Sequence, residues 1–170
     1  ATPVMLTRGW WLGAQKHGAV LWSSDIMSSF DELKAQVPTG IAAAMSGVPW
    51  WTSDVGGFGC PTSPHNDTDP YMQELIQRWY QFGALCPIFR THGCRNGVAA
   101  PIPSSPNATC LQGQGPGGSC GPNEVWSYGA RVQPVLEKYI RLRNDHLQPY
   151  LKELARNVSE RGVVTMRALS

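Results

Sequence analysis

Short apolar runs that alternate with amphipathic helical segments constrain the fold of this chain more than any other feature of its 170 residues. Runs bounded by glycine-rich turns are typical of strands that are buried on both faces of a parallel sheet. The apolar runs predict strands at residues 4–8, 19–22, 48–52 and 87–90, and the start of another at 163–166.

The first helical segment follows the second apolar run. Ser29 is followed three residues later by Glu32, a capping-box pattern that predicts a helix start. Pro38 removes a backbone donor inside this segment. The sequence therefore predicts two helical pieces, about 30–37 and 38–46.

Two further helices are predicted by the same rules. Asp69 before Pro70 is an N-cap with proline at the first helical position, and the apolar spacing continues to about Ala84. Apolar residues at helical spacing over 132–154 predict a third helix, which we expect to end at Gly162.

The order of these elements is that of a parallel α/β fold with right-handed crossovers. The pattern fits part of a (β/α)8 barrel, which takes about 250 residues when complete, and it fits an open doubly wound sheet as well. Residues 94–122 are rich in glycine and proline and predict an irregular loop. No strand is followed by a glycine-rich phosphate motif, so no nucleotide cofactor is predicted.

Composition excludes several classes of function. With 14 basic and 12 acidic residues the net charge is +2, which gives no electrostatic footprint for nucleic acid. No apolar run approaches the ~20 residues needed to cross a bilayer. The cysteines form no C-x-x-C pair and the histidines show no ligand spacing, so we expect neither a metal nor a redox cofactor. Three histidines are expected to lie in solvent: His17, His65 and His146.

Polar side chains follow the predicted strands at the points where each strand ends. Because the carboxyl ends of parallel strands meet at one edge of a sheet, we expect these side chains to converge. They are Arg8, Asp25, Asp54, Arg90 and His92.

Aromatic residues crowd the same places. A sugar ring has apolar C–H faces and a polar rim, so carboxylates and arginine beside flat aromatic walls suit a carbohydrate. We expect Trp22 to face such a pocket, and Trp11 and Trp51 to belong to the core. From spacing alone, Asp25 and Asp54 fit the carboxylate pair of a glycosidase, which lies ~5–5.5 Å apart in retaining enzymes.

Three segments of the chain resemble successive blocks of glycoside hydrolase family 31: residues 19–26, 47–58 and 89–93. The resemblance implies a (β/α)8 barrel, of which this chain supplies about strands five or six through eight. Residues 1–161 are then the C-terminal part of the catalytic domain, with a loop insertion at 94–122. Residues 162–170 are the start of a following β-sandwich domain.

The resemblance also implies roles for individual residues and replaces the carboxylate pair suggested by spacing. Asp25 matches the general acid/base of the family, although Ser24 stands where the family often has glycine. Arg90 and Trp50 match supporting positions. The residues that match the lining of the sugar subsite are Arg8, Trp22, Asp54, Phe58 and His92.

The nucleophile of the family is an aspartate in an earlier block resembling W-x-D-M-N-E, which this sequence does not contain. The resemblance therefore implies a piece of a retaining α-glycosidase that acts on α-glucosides or α-xylosides and needs the rest of its parent chain to complete the barrel. The alternative is a noncatalytic sugar-binding or regulatory homologue.

Three N-glycosylation sequons, at Asn66, Asn107 and Asn157, occur together with five cysteines. This combination favours the secretory pathway, with an extracellular, lysosomal or vacuolar destination. Reduced thiols in the cytoplasm are the alternative.

Overall fold

The structure is a computed structural model that describes residues 4–59, 67–93, 95 and 122–168. Three short strands and four α-helices form most of it. The strands are β1 (Met5–Thr7), β2 (Ala19–Trp22) and β3 (Trp51–Thr52). The helices are α1 (Phe30–Met45), α2 (Pro70–Gly83), α3 (Gly129–Arg141) and α4 (Gln148–Arg161). The shorter helical segments are the 3-10 turns Ala14–His17 and Val125–Tyr128 and the π-helical segment Leu142–Leu147.

The strands form one parallel sheet in the order β1-β2-β3, which confirms the predicted α/β class. The amide of Ser23 donates to the Thr52 carbonyl at 3.0 Å and extends the pairing beyond β2. An isolated parallel bridge between Val55 and Thr91 continues the sheet on the far side of β3. The predicted strands at 87–90 and 163–166 are wrong: neither segment is extended into a strand, and pairing next to the first is limited to the Val55–Thr91 bridge and a hydrogen bond from the Val55 amide to the Arg90 carbonyl at 3.4 Å.

Strand β1 forms an open edge of the sheet, which contradicts the prediction that it is buried on both faces. Met5 is 46% and Leu6 48% exposed. The reason is that β1 pairs with β2 on one side and with no described strand on the other. Trp11 is also 64% exposed, so its assignment to the core is wrong, whereas Trp51 is 2% exposed and lies in the core as predicted.

Helix α1 begins as predicted but continues through its proline. The Ser29 hydroxyl accepts a hydrogen bond from the Glu32 amide at 3.1 Å. The predicted break at Pro38 is wrong, because this proline faces solvent while Gly40 packs against Trp51 and Met166 on the other side. Burial of that face holds the helix together across one missing backbone hydrogen bond.

Helix α2 supplies the centre of the larger core. The Asp69 carboxylate accepts from the Tyr71 amide at 3.1 Å, as the predicted N-cap requires. The buried face of α2 packs against Val132 and Leu136 of α3 and against Val55. That face comprises Met72, Leu75, Ile76, Trp79 and Tyr80.

The third predicted helix is one helical run that begins earlier than expected and contains a π-helical segment between α3 and α4. Gly162 ends it in the left-handed conformation, as predicted. Apart from Arg95 and Pro122, the predicted loop at 94–122 lies outside the described residues.

Candidate functional site

The first part of the candidate site is an exposed ion pair across two neighbouring strands. Arg8 directly follows β1, and Asp25 lies in the turn after β2. Arg8 Nη2 donates to Asp25 Oδ1 at 3.0 Å, with 62% and 33% of the two side chains exposed. Two of the predicted residues therefore meet at the carboxyl edge of the sheet, where a ligand can reach them.

The second part is a buried ion pair one strand further along. Asp54 follows β3 and is 0% exposed, and its Oδ1 accepts a hydrogen bond from Arg90 Nη2. Burial raises the pKa of the Asp54 carboxyl, and the positive charges of Arg90 and His92 offset part of that rise. Asp54 and Arg90 thus form a desolvated charge pair inside the site.

The indole of Trp22 joins the two ion pairs. The guanidinium carbon of Arg8 lies 4.5 Å from the ring centroid of Trp22, and that of Arg90 lies 5.4 Å from it. His92 meets the same indole edge-on at 6.3 Å and stacks on Phe58 at 5.4 Å. Cationic groups near an indole face are attracted by its quadrupole.

The structure therefore brings most of the predicted site residues into one cluster. The exception is Trp50, which precedes β3 at its opposite end and lines a different cavity of about 520 Å³ with Lys16 and Val158. The clustered residues, called the strand-end cluster below, are Arg8, Trp22, Asp25, Asp54, Phe58, Arg90 and His92.

Close backbone contacts between two loops position Phe58 against the turn that holds Asp25. The Phe58 amide donates to the Ile26 carbonyl at 2.8 Å. A Cβ atom added to Gly57, whose φ is +78°, would lie 2.5 Å from the Met27 carbonyl oxygen. Only glycine fits there. Ser24 adopts a φ of 64°, the one described non-glycine residue with a positive φ, at the position where the family often has glycine.

Arg95 lies buried beside Gly56, next to the loop that holds Phe58. The sequence did not predict its burial. It is 1% exposed, and its Nε donates to the Tyr128 hydroxyl at 3.1 Å. That hydroxyl donates to Asn123 Oδ1, and Asn123 Nδ2 in turn donates to the Gly93 carbonyl at 3.3 Å. An arginine within a stretch of glycine and proline gave no periodic signal that could have indicated burial.

Three buried polar atoms of the cluster make no hydrogen bond of regular geometry among the described residues: Trp22 Nε1, Asp54 Oδ2 and Arg90 Nε. The Trp22 indole is nevertheless close enough to the Asp54 carboxyl to lower its pKa slightly against the effect of burial. Buried polar groups in folded proteins are almost always paired, so an unpaired set at one place calls for an explanation. Two donors and an acceptor match the hydroxyl groups of a sugar.

Other predicted features have plainer outcomes. Within the described part of the chain, no group of three or more histidine, cysteine or acidic side chains is placed to hold a metal ion. His17 and His146 are exposed as predicted, and His65 lies outside the described residues. Cys86 is free and buried, and burial raises its pKa to about 12. None of the described helices has the length and apolar character needed to span a bilayer.

Known proteins resemble this chain over nearly all of its length. The alpha-xylosidase of Saccharolobus solfataricus is 35% identical over 166 residues, covering 98% of this chain and 19% of that protein. The xylosidase structure from Aspergillus niger is similar with a TM-score of 0.78 and 34% identity, covering 96% of this chain and 21% of that one. A GH31 alpha-xylosidase from a soil metagenome, solved with xylose, has a TM-score of 0.72 and 34% identity, with coverages of 95% and 22%.

The chain thus spans about a fifth of the length of the relatives it matches. The family profile described as the TIM-barrel domain of glycosyl hydrolases family 31 matches residues 1–109. By this match, and by its 35% identity to the alpha-xylosidase of Saccharolobus solfataricus over 98% of its length, the chain belongs to glycosyl hydrolase family 31.

Proposed function

We propose that the protein containing this chain is a retaining α-glycosidase that removes terminal α-linked xylosyl or glucosyl residues. The supporting observation is the strand-end cluster, in which an exposed carboxylate–arginine pair and a buried one meet at Trp22. Family membership and the alpha-xylosidase and alpha-glucosidase relatives agree with this assignment.

Asp25 is the proposed general acid/base. Its side chain is partly exposed at the strand ends, as a group that exchanges a proton with a bound substrate must be. In the proposed mechanism an aspartate on an earlier strand attacks the anomeric carbon while Asp25 protonates the leaving oxygen. Asp25 then removes a proton from water, which releases the sugar with retained configuration.

The other cluster residues bind and orient the sugar in this proposal. Trp22, Phe58 and His92 provide ring surfaces for its C–H faces, and Arg8 provides hydrogen-bond donors. Asp54 is fully buried, so we assign it to fixing Arg90, with its unpaired Oδ2 as the acceptor for a sugar hydroxyl when the pocket is filled.

The open edge of β1 supports the proposed completion of a (β/α)8 barrel by the rest of a longer parent chain. Unpaired strand edges with exposed apolar residues such as Met5 and Leu6 pair readily with another strand. In this proposal residues 1–161 form the C-terminal part of the barrel domain, and residues 162–170 lead into a β-sandwich domain.

A secretory, extracellular or lysosomal/vacuolar location is also proposed. It rests on the sequons, of which only the one at Asn157 begins at a described residue, in helix α4. A mass shift of the native protein after treatment with an N-glycosidase supports this location. A native protein that carries no glycan at Asn66, Asn107 or Asn157 contradicts it.

The decisive experiment is kinetic and uses the complete protein. Asp25→Asn is expected to slow hydrolysis of an alkyl α-xyloside or α-glucoside by about 10²–10⁴-fold, the usual contribution of general acid–base catalysis. The loss is expected to be smaller for an activated aryl glycoside, because a good leaving group needs little protonation. Asp31→Asn, an exposed acidic residue of α1, is the matched control.

Equal losses on both substrates would contradict an acid role for Asp25. Sugar binding without any hydrolysis by the wild-type protein would favour a noncatalytic sugar-binding homologue. An aspartate in the upstream strand block of the parent sequence, matching W-x-D-M-N-E, supports catalysis, and its substitution supports binding alone.

A further inference from the structure

Arg143 holds the turn that follows helix α2, which lies 56 to 59 residues earlier in the chain. It lies in the π-helical segment Leu142–Leu147. Its Nη1 donates to the carbonyls of Ala84 and Cys86 at 2.7 and 2.8 Å, and its Nη2 donates to that of Pro87 at 2.8 Å. Three carbonyls within four residues are held by one planar guanidinium.

This clamp uses a property that lysine lacks. A guanidinium presents several donors in a fixed fork, whereas an ammonium is a single rotatable point charge. The guanidinium is half-buried, and desolvation lowers the pKa of Arg143, with only the neighbouring Cys86 thiol acting against that shift. No described carboxylate pairs with it. Its hydrogen bonds to neutral carbonyls therefore compensate for burial of the charge.

The clamped turn leads directly into the strand-end cluster. Phe89 comes two residues after Pro87, and the guanidinium carbon of Arg143 lies 5.9 Å from the centroid of its ring. The Phe89 ring also packs edge-on against that of Tyr80, with 5.1 Å between the centroids. The next residue is Arg90, which pairs with Asp54, and Thr91 then bridges to Val55. The chain between the clamp and the cluster is thus short and packed throughout.

A π-helical turn in the middle of a long helix also needs an explanation. Such turns offset the residues that follow from the regular α-helical positions, and they occur frequently at functional sites. Here the segment lies between α3 and α4, and α3 contributes Val132 and Leu136 to the core. The segment contains Arg143, the one described side chain that reaches all three carbonyls.

We infer that Arg143 is a positioning residue for the sugar site: by holding the carbonyls of residues 84, 86 and 87 it fixes the 84–92 segment, and thereby the placement of Arg90 and His92. This inference rests on the proposed function. It assigns a role to the π-helical segment, remote from the reacting atoms, in determining sugar affinity.

The test compares Arg143→Met and Arg143→Lys with Arg141→Met in the complete protein. Arg141 is a matched control, since it is exposed, lies two residues earlier and, among the residues that the structure describes, pairs only with Glu137 on the same helix. Two readouts are taken well below the unfolding temperature: hydrogen exchange of peptides spanning 84–92 and 30–45, and the Kd of xylose and glucose by calorimetry.

Arg143→Met is expected to speed exchange in 84–92 but not in 30–45, because the hydrogen bonds that hold this segment are lost, and to raise the Kd by about tenfold. It is also expected to lower the reaction rate by up to about a hundredfold, the cost of misplacing groups by about 1 Å. Arg143→Lys is expected to fall between Arg143→Met and wild type, and Arg141→Met to match wild type. kcat/KM should fall with the affinity.

Either of two results would overturn the inference, provided that the wild type is active. In the first, Arg143→Met matches Arg141→Met in both exchange and Kd. In the second, exchange in Arg143→Met rises equally in 30–45 and 84–92. The second would assign Arg143 to general stability alone. A wild-type protein that binds neither sugar and hydrolyses neither glycoside overturns the proposed function instead.

Discussion

Arg90 Nη2 is hydrogen-bonded to Oδ1 of the fully buried Asp54 carboxylate, whose Oδ2 makes no hydrogen bond of regular geometry among the described residues. The pair joins the chain after β3 to the chain after α2. Its formation removes the carboxylate from water, and a buried carboxylate stays ionised only where a cation compensates for the lost hydration. This relationship determines the pH behaviour expected of the site.

On acidification, sugar affinity is expected to begin to fall at a higher pH than it would if Asp54 had the pKa of an ordinary aspartate. Burial raises the pKa of Asp54 above its usual value of 3.8. As the pH falls through that raised pKa, Asp54 is protonated and loses its attraction for Arg90. Calorimetric titration with xylose across the acidic range should show this loss in wild type, and Asp54→Asn should bind weakly at every pH.

The same shift has the opposite effect on stability. Because the native state holds the Asp54 proton more tightly than the unfolded chain, this group stabilises the fold below pH 3.8, and that contribution is lost as the pH rises through the raised pKa. Asp54→Asn should remove that component from the pH dependence of thermal unfolding. An unchanged dependence in this variant would contradict the raised pKa.

Gly57→Ala is expected to destabilise the protein by about 3 kcal/mol, since the new Cβ meets the Met27 carbonyl and the residue keeps a positive φ. Gly47→Ala is the control. Gly47 has a φ of +85° but open space around it, so only the backbone cost of about 1 kcal/mol remains. Chemical denaturation of both variants measures the difference, and equal losses would show that the loop contact yields easily.

Trp79→Ala is expected to cost about 3–5 kcal/mol, because this fully buried ring lies in the larger core. Its indole nitrogen also lies 3.4 Å from Oγ of Ser53, the residue before Asp54, so sugar affinity should fall as well. Trp126→Ala, at a 69% exposed position, should change stability by less than about 0.5 kcal/mol. Similar melting temperatures for the two variants would contradict this assignment of the core.

The sequence by itself determined features that depend on neighbours within one turn or one strand. The caps at Ser29 and Asp69, the stop at Gly162 and the limits of β2 all follow from local backbone chemistry. The order of the elements also placed polar residues at a common edge of the sheet, because parallel strands end on the same side.

Only the tertiary structure decided which residues are buried and which polar groups meet. Pro38 is accommodated because the opposite side of α1 packs against Trp51. Trp11 is exposed although a large apolar side chain such as tryptophan is typical of a core. The pairing of Arg90 with Asp54 and the clamp formed by Arg143 join residues dozens of positions apart. Burial and desolvation depend on what packs against a side chain, and that information is distributed over the whole fold rather than held in any local pattern.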